Sequence, residues 1–198
     1  MPATRHTTLR RIALQAASFG GHREIVNLVL DKGACIQAEG GRFGNALHAA
    51  SFGGHQELVI LLLDKGADIH ADGSFYGNAL HAASLRGYQE IVNLLLVKGA
   101  HVNAEGGDYG NAFQAASFGG HQEIVKLLLD KGANIHAEDG RYGNALQAAS
   151  FGGHREIVKL LQRKGGTTSC SKRSGSKTPG NPAKKLRLMD SEPSDQTQ

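Results

Sequence analysis

The phrase Gly-Asn-Ala-Leu or Gly-Asn-Ala-Phe begins at Gly44, Gly77, Gly110 and Gly143, with a spacing of 33 residues each time. A fifth, eroded copy precedes these, because Ala13-Leu14-Gln15-Ala16-Ala17-Ser18 stands 33 residues before Ala46-Leu47-His48-Ala49-Ala50-Ser51. Segments 107–128 and 140–161 agree at 19 of 22 positions, differing only at Asp108/Arg141, Phe113/Leu146 and Gln122/Arg155. A fixed period of this size implies supersecondary units that must stack, since one unit alone cannot bury its apolar surface.

Each unit reads as two short helices and an extended return. Asn45 can cap the first helix by accepting from the free N–H groups of its first turn, and Ala46-Leu47-His48-Ala49-Ala50 follows with strong helix formers. Gly53-Gly54 interrupts it. His55 to Leu63 supplies the second helix, apolar on more than one face, and Gly66 stops it. A helix with two apolar faces suits packing on its own partner and on the next unit.

The period, together with Gly-His, Ile-Val, Leu-Leu-Leu and Lys-Gly-Ala, resembles the ankyrin repeat. The resemblance implies an all-α solenoid of five 33-residue helix-turn-helix units joined by short hairpins. The expected organisation is an N-terminal extension over 1–7, an array over 8–166 and a disordered basic tail over 167–198. The units are 8–40, 41–73, 74–106, 107–139 and 140–166. Where ankyrin repeats open on Thr-Pro-Leu-His, this chain holds Asn45-Ala46-Leu47-His48, Asn78-Ala79-Leu80-His81, Asn111-Ala112-Phe113-Gln114 and Asn144-Ala145-Leu146-Gln147. This phrasing is similar to ankyrin arrays of filamentous fungi, which often form the sensor end of NACHT-type or related P-loop immune receptors. A sensor fragment of such a receptor is therefore the alternative to a stand-alone module.

The ends depart from the repeat. Leu30, Leu63, Leu96 and Leu129 share one position, which becomes Gln162 in the last unit, as a face without a successor favours. Unit one has Arg11-Ile12 in place of Gly-Asn, so its hairpin is expected to be missing, with Arg10 and Arg11 solvating the edge.

Enzyme chemistry is not expected. Of ten His, nine lie in the array, and His22, His55, His121 and His154 recur in register; equivalent positions spread along a stack do not converge on a metal. The paired glycines fit no GxxxxGK[ST] or GxGxxG pattern. Ser18, Ser51, Ser84, Ser117 and Ser150 lack a GxSxG surround, and Asp31, Asp64 and Asp130 read as solvated helix ends. No catalytic residue, metal or cofactor is assigned. Cys35 and Cys170 form no CxxC pair, which suits a reducing compartment. The longest apolar run, Leu58 to Leu63, is far short of the roughly 20 residues of a membrane span, and Met1 to His6 leads into no apolar run, so neither a span nor a secretory signal is expected.

Positions that stay identical are explained by stacking, so binding is sought where units differ. The hairpins vary at Arg42-Phe43, Phe75-Tyr76, Asp108-Tyr109 and Arg141-Tyr142, and the first helices at His48, His81, Gln114 and Gln147. In the fold that the resemblance implies, hairpins and first helices line one concave face, and aromatic and Arg side chains are favoured interface anchors. These twelve residues are the expected protein-binding set, although Phe43, Tyr76, Tyr109 and Tyr142 equally suit a role as spacers between hairpins. Unit three diverges most, with Leu85-Arg86-Gly87-Tyr88 for Phe-Gly-Gly-His and Val97 for Asp.

Charge separates the tail from the array. Residues 1–162 carry 14 basic and 15 acidic groups, whereas 163–198 carry 8 and 3. Lys172-Arg173 and Lys184-Lys185-Leu186-Arg187 are ten residues apart and resemble a bipartite nuclear localisation signal, with Lys172, Arg173, Lys184, Lys185 and Arg187 presented to an importin-type receptor. The composition around them cannot bury enough apolar area to order itself, and six cations without interleaved aromatics give no specific nucleic-acid binding. The expected protein is monomeric, nuclear and cytoplasmic, with a protein partner and no membrane. Thr178-Pro179 lies between the clusters, where a phosphate would add negative charge.

Overall fold

The computed structural model describes residues 3–41, 43–72 and 75–165. Within them the chain forms ten helices in five antiparallel pairs. The inner helices are α1 (Ala3–Phe19), α3 (Ala46–Gly53), α5 (Ala79–Arg86), α7 (Ala112–Gly119) and α9 (Ala145–Gly152). Their outer partners are α2 (Arg23–Asp31), α4 (Gln56–Asp64), α6 (Gln89–Val97), α8 (Gln122–Asp130) and α10 (Arg155–Arg163). This is the all-α stack of helix pairs that the repeat predicts. In unit one a helix occupies the place of the hairpin, because α1 already begins at Ala3 and takes in residues 3–7.

Helices of eight or nine residues are marginal alone, so their ends and neighbours must hold them. Asn45, Asn78, Asn111 and Asn144 sit in extended backbone, and each side chain accepts from the N–H three residues on. At the other end Gly54, Gly87, Gly120 and Gly153 adopt the left-handed conformation, with φ from 80° to 83°, which a residue with a Cβ resists. Gly53 lies one step earlier and is still helical, so conformation does not explain it. A Cβ there would sit 2.5 Å from the Phe19 carbonyl oxygen of the preceding inner helix, so the inner helices meet at backbone distance.

The core is one continuous layer between the two rows. Ala46, Leu47, Ala50, Leu58, Val59 and Leu62 are buried in unit two, and their equivalents repeat through unit five as far as Leu161. Full burial of each Leu, Ile or Val contributes about 1.5–3 kcal/mol. Leu63, Leu96 and Leu129 pack against this layer, and Gln162, their equivalent, is exposed.

Candidate protein-binding surface

Between α2 and α3, and at each later junction, the chain makes an extended excursion. Gly40 N–H donates to the Gly44 carbonyl at 2.8 Å and Gly106 N–H to the Gly110 carbonyl at 2.9 Å, and Glu105 and Asn111 form an isolated antiparallel bridge. Successive excursions are tied by backbone: Asp108 N–H donates to the Phe75 carbonyl at 3.0 Å, and Arg141 N–H to the Asp108 carbonyl at 2.7 Å. The variable residues are thereby set side by side at a fixed pitch.

The hairpin aromatics interleave with the phenylalanines that end the inner helices. Phe43 stacks on Phe19 with ring centres 4.7 Å apart, Tyr76 lies 4.4 Å from Phe52, Tyr142 stacks on Phe118 at 4.7 Å, and Phe151 lies 4.9 Å from Tyr142. Unit three has Leu85 where the others have Phe, and there Phe75 carries the line onward, meeting Tyr76 at 5.2 Å and Tyr109 at 6.4 Å, edge-on to both. Edge-to-face and offset pairs each add about 0.5–1.5 kcal/mol beyond burial, so the rings form an unbroken line from unit one to unit five.

Exposure divides the line. Tyr76, Tyr109, Phe52 and Phe118 are no more than 8% exposed, whereas Phe75 is 47% exposed. Burial raises the Tyr109 hydroxyl well above the usual phenol range and also raises Tyr142. Further along the line, the Arg86 guanidinium carbon lies 5.0 Å from the centre of the Phe52 ring. Arg141 pairs with Asp108 at 3.9 Å with both side chains half exposed.

The first-helix members of the expected set belong elsewhere. His48 and His81 are 1% exposed and Gln114 is 2% exposed, so they cannot face a partner. Each reaches forward to the loop after its own outer helix. His48 Nε2 donates to the Ala71 carbonyl and His81 Nε2 to the Ala104 carbonyl, both at 2.9 Å. Gln114 Nε2 donates to Ala137 at 3.0 Å and Gly143 at 2.6 Å, and Gln15 Nε2 to Gly44 at 2.6 Å. The other end of the side chain closes a reciprocal cap: Asn78 N–H donates to His81 Nδ1, Asn111 N–H to Gln114 Oε1 and Asn144 N–H to Gln147 Oε1. The position demands an acceptor near the backbone and a donor beyond it, which neutral His and Gln both supply. Burial holds His48 below its ordinary pKa and lowers His81 to about 4, keeping both neutral. Gln147, in the last unit, is half buried.

Of the remaining expected residues, Phe75, Asp108 and Arg141 are accessible, and Phe43 and Tyr142 are half buried in the aromatic line. Tyr76 and Tyr109 are its buried spacers, and Arg42 lies outside the described residues. Arg86 and the inner-helix phenylalanines Phe19 and Phe151 join the surface without having been expected there, with Phe52 and Phe118 buried beneath it. Their signal was present in the repeated Ser-Phe-Gly-Gly phrase and its replacement by Ser84-Leu85-Arg86-Gly87.

The in-register histidines are structural fasteners. His55 Nε2 donates to the Phe19 carbonyl at 2.7 Å, His121 Nε2 to Leu85 at 2.9 Å and His154 Nε2 to Phe118 at 2.8 Å. Each thus clasps the end of the preceding inner helix. Among the described residues no three His, Cys, Asp or Glu side chains converge as metal ligands, and no helix is long and apolar enough to cross a membrane.

The family model described as ankyrin repeats (3 copies) matches residues 3–73 and 80–174. A comparison with curated proteins found no match.

Proposed function

The chain belongs to the ankyrin repeat family, and from that premise we infer that it is a non-catalytic module that grips a protein partner along the hairpin ends. The observation that carries this reading is Phe75, 47% exposed between buried aromatic neighbours, its carbonyl bonded by the N–H of Asp108, whose carboxylate pairs with Arg141. A rigid aromatic anchor beside guanidinium groups is what interface hot spots are made of, and truncating such an anchor typically costs 2 kcal/mol or more, roughly thirtyfold in affinity. Residues of the set that are buried position this surface and do not touch the partner.

The test is a capture experiment with the full chain as bait, comparing wild type with Phe75→Ala, Arg86→Ala and Arg141→Ala. Val97→Asp serves as a control, because Val97 is 82% exposed and stands where neighbouring units carry Asp. A partner retained by wild type and the Val97 control but lost with Phe75→Ala supports the assignment. Identical partners for all five proteins would remove it.

The tail reading rests on sequence alone. Lys172, Arg173, Lys184, Lys185 and Arg187 lie outside the described residues, and their spacing and local positive charge support nuclear import through an importin-type receptor. Fusing 165–198 to a large inert cytosolic protein should draw it into the nucleus, and Ala at Lys184, Lys185 and Arg187 should abolish this. Cargo that stays cytosolic would leave the tail a solubilising segment.

A further inference from the structure

Negative charge in the array is gathered at the hairpins. Segments 38–45, 71–78, 104–111 and 137–144 carry six carboxylates against two guanidinium groups, whereas the rest of residues 1–162 carries nine acidic and twelve basic side chains. Four of the six, Glu39, Asp72, Glu105 and Glu138, recur at one position of the repeat. Each is exposed and stands four residues ahead of the hairpin aromatic. A carboxylate row therefore accompanies the line of rings, in which Phe19, Phe75 and Phe151 are 37%, 47% and 45% exposed. Of the other two acids, Asp108 is paired with Arg141.

At the first junction the chain itself lays a cation on this row. Arg10 and Arg11, expected to solvate the open edge, turn along the 33–40 loop instead: Arg11 Nη1 donates to the Glu39 carbonyl at 3.1 Å and lies over Gly40, and Arg10 lies over Gly33. The residues equivalent to Arg11 ahead of Asp72, Glu105 and Glu138 are Gly44, Gly77 and Gly110. The repeat therefore supplies no such guanidinium at the later junctions.

We propose that the hairpin ends take an extended basic segment of the partner, in polyproline II conformation with Lys or Arg at every third residue. This rests on the hairpin-end reading above and adds the partner's chemistry to it. Charge complementarity selects a cationic occupant, because opposite charge steers encounter and like charge is rejected. Spacing selects its conformation. Equivalent positions of stacked helices recur at roughly 10 Å, and polyproline II advances about 9.3 Å per turn of three residues, so every third side chain returns to the same face and meets one repeat. The drift along the row is roughly 2 Å, within the reach of a flexible Lys. A β-strand fits less well, since its same-face side chains recur every 6.8 Å or so. Prolines and side-chain stems between the cations rest on the exposed rings, as aromatic-lined surfaces take polyproline II ligands.

Fluorescence anisotropy of the full chain with labelled synthetic peptides tests this. The probes are a short Pro- and Ala-rich peptide with Lys at every third position, a second of the same composition with its Lys gathered at one end, and a third with Glu in place of Lys. The periodic Lys peptide should bind roughly tenfold more tightly than the gathered one, as the loss of two or three exposed ion pairs allows. Glu39→Gln and Glu105→Gln should each weaken it roughly two- to fivefold, with unchanged circular dichroism because both side chains face solvent. Phe75→Ala should weaken it roughly thirtyfold. Equal affinity for the periodic and gathered peptides overturns the proposal, and so does preference for the Glu peptide. If no Lys peptide binds while Phe75→Ala still loses a captured partner, the hairpin-end reading stands and the basic occupant falls. Binding of the periodic peptide that Phe75→Ala leaves unchanged would place the site off the hairpin ends, and both readings would fail.

Discussion

Arg86 holds its guanidinium carbon 5.0 Å from the centre of the Phe52 ring, across the junction between the second and third repeats. That junction is joined unlike its neighbours. Elsewhere a His clasps the preceding inner helix, as His55, His121 and His154 do. Here Tyr88 takes the place of the His, and its ring lies over Gly54. Loops are also linked differently. Gln37 bridges the Gly66 carbonyl and Asp68 N–H, and Asn103 bridges the Gly132 carbonyl and Asn134 N–H. Between these two bridges, His70 stacks on His101 at 4.3 Å.

The Arg86–Phe52 contact should appear as a coupling energy. Arg86→Ala and Phe52→Leu, measured singly and together by urea unfolding, should interact by about 0.5–1 kcal/mol, the range of a partly exposed cation–π pair. Strictly additive losses would mean that the two groups are neighbours without attraction.

Repeat arrays open at their weakest interface, and at the described residues of this junction Tyr88 stands where other units have a clasping His, and His70 stacks on His101 where Gln37 and Asn103 form bridges. Native-state hydrogen exchange should show the amides of α1 to α4 opening together, at a lower free energy than those of α7 and α8. Equal protection across all inner helices would contradict this weak junction.

Gly→Ala inside a helix ordinarily stabilises by up to about 1 kcal/mol. At Gly119 the sign should reverse, because the added Cβ would lie 2.5 Å from the Leu85 carbonyl oxygen. Separating α5 from α7 to admit it should cost about 1–3 kcal/mol, as overpacking does. Thermal unfolding of Gly119→Ala reads the sign directly, and a raised midpoint would show that the helices are not held at backbone distance.

Acid should loosen the array through its two buried histidines. In the unfolded chain they protonate near the ordinary value of about 6.5, whereas folded His81 does so only near about 4 because burial outweighs its bond to Ala104 and the attraction of Asp72. The unfolded state binds more protons between those values, so stability present above about pH 6.5 is lost as pH falls to about 4 and not further below. For His81 this amounts to about 3 kcal/mol, and His48 shifts in the same direction. His48→Gln with His81→Gln installs the side chain found at Gln15 and Gln114, preserving donor and acceptor without the titration. Urea unfolding at about pH 7 and about pH 4.5 should show a smaller loss for the double variant, and an equal loss would place the acid sensitivity elsewhere.

The sequence by itself determined the period, the helix pairs, the Asn caps and the left-handed glycines, because these depend on backbone hydrogen bonds within about four residues and on a pattern that one chain writes five times. It also marked Phe75, Asp108 and Arg141 as unlike one another at a single position of the repeat. Tertiary structure decided what His48, His81 and Gln114 do, since their bonding carbonyls lie 23 residues away in sequence. Variation there looked like recognition, yet His and Gln serve one internal geometry. Tertiary structure likewise set the glycine at 53 by the approach of a neighbouring helix, and turned Arg11 onto the loop of Glu39. Each of these outcomes depends on which surface the next repeat covers, and that is fixed only when the helices stack.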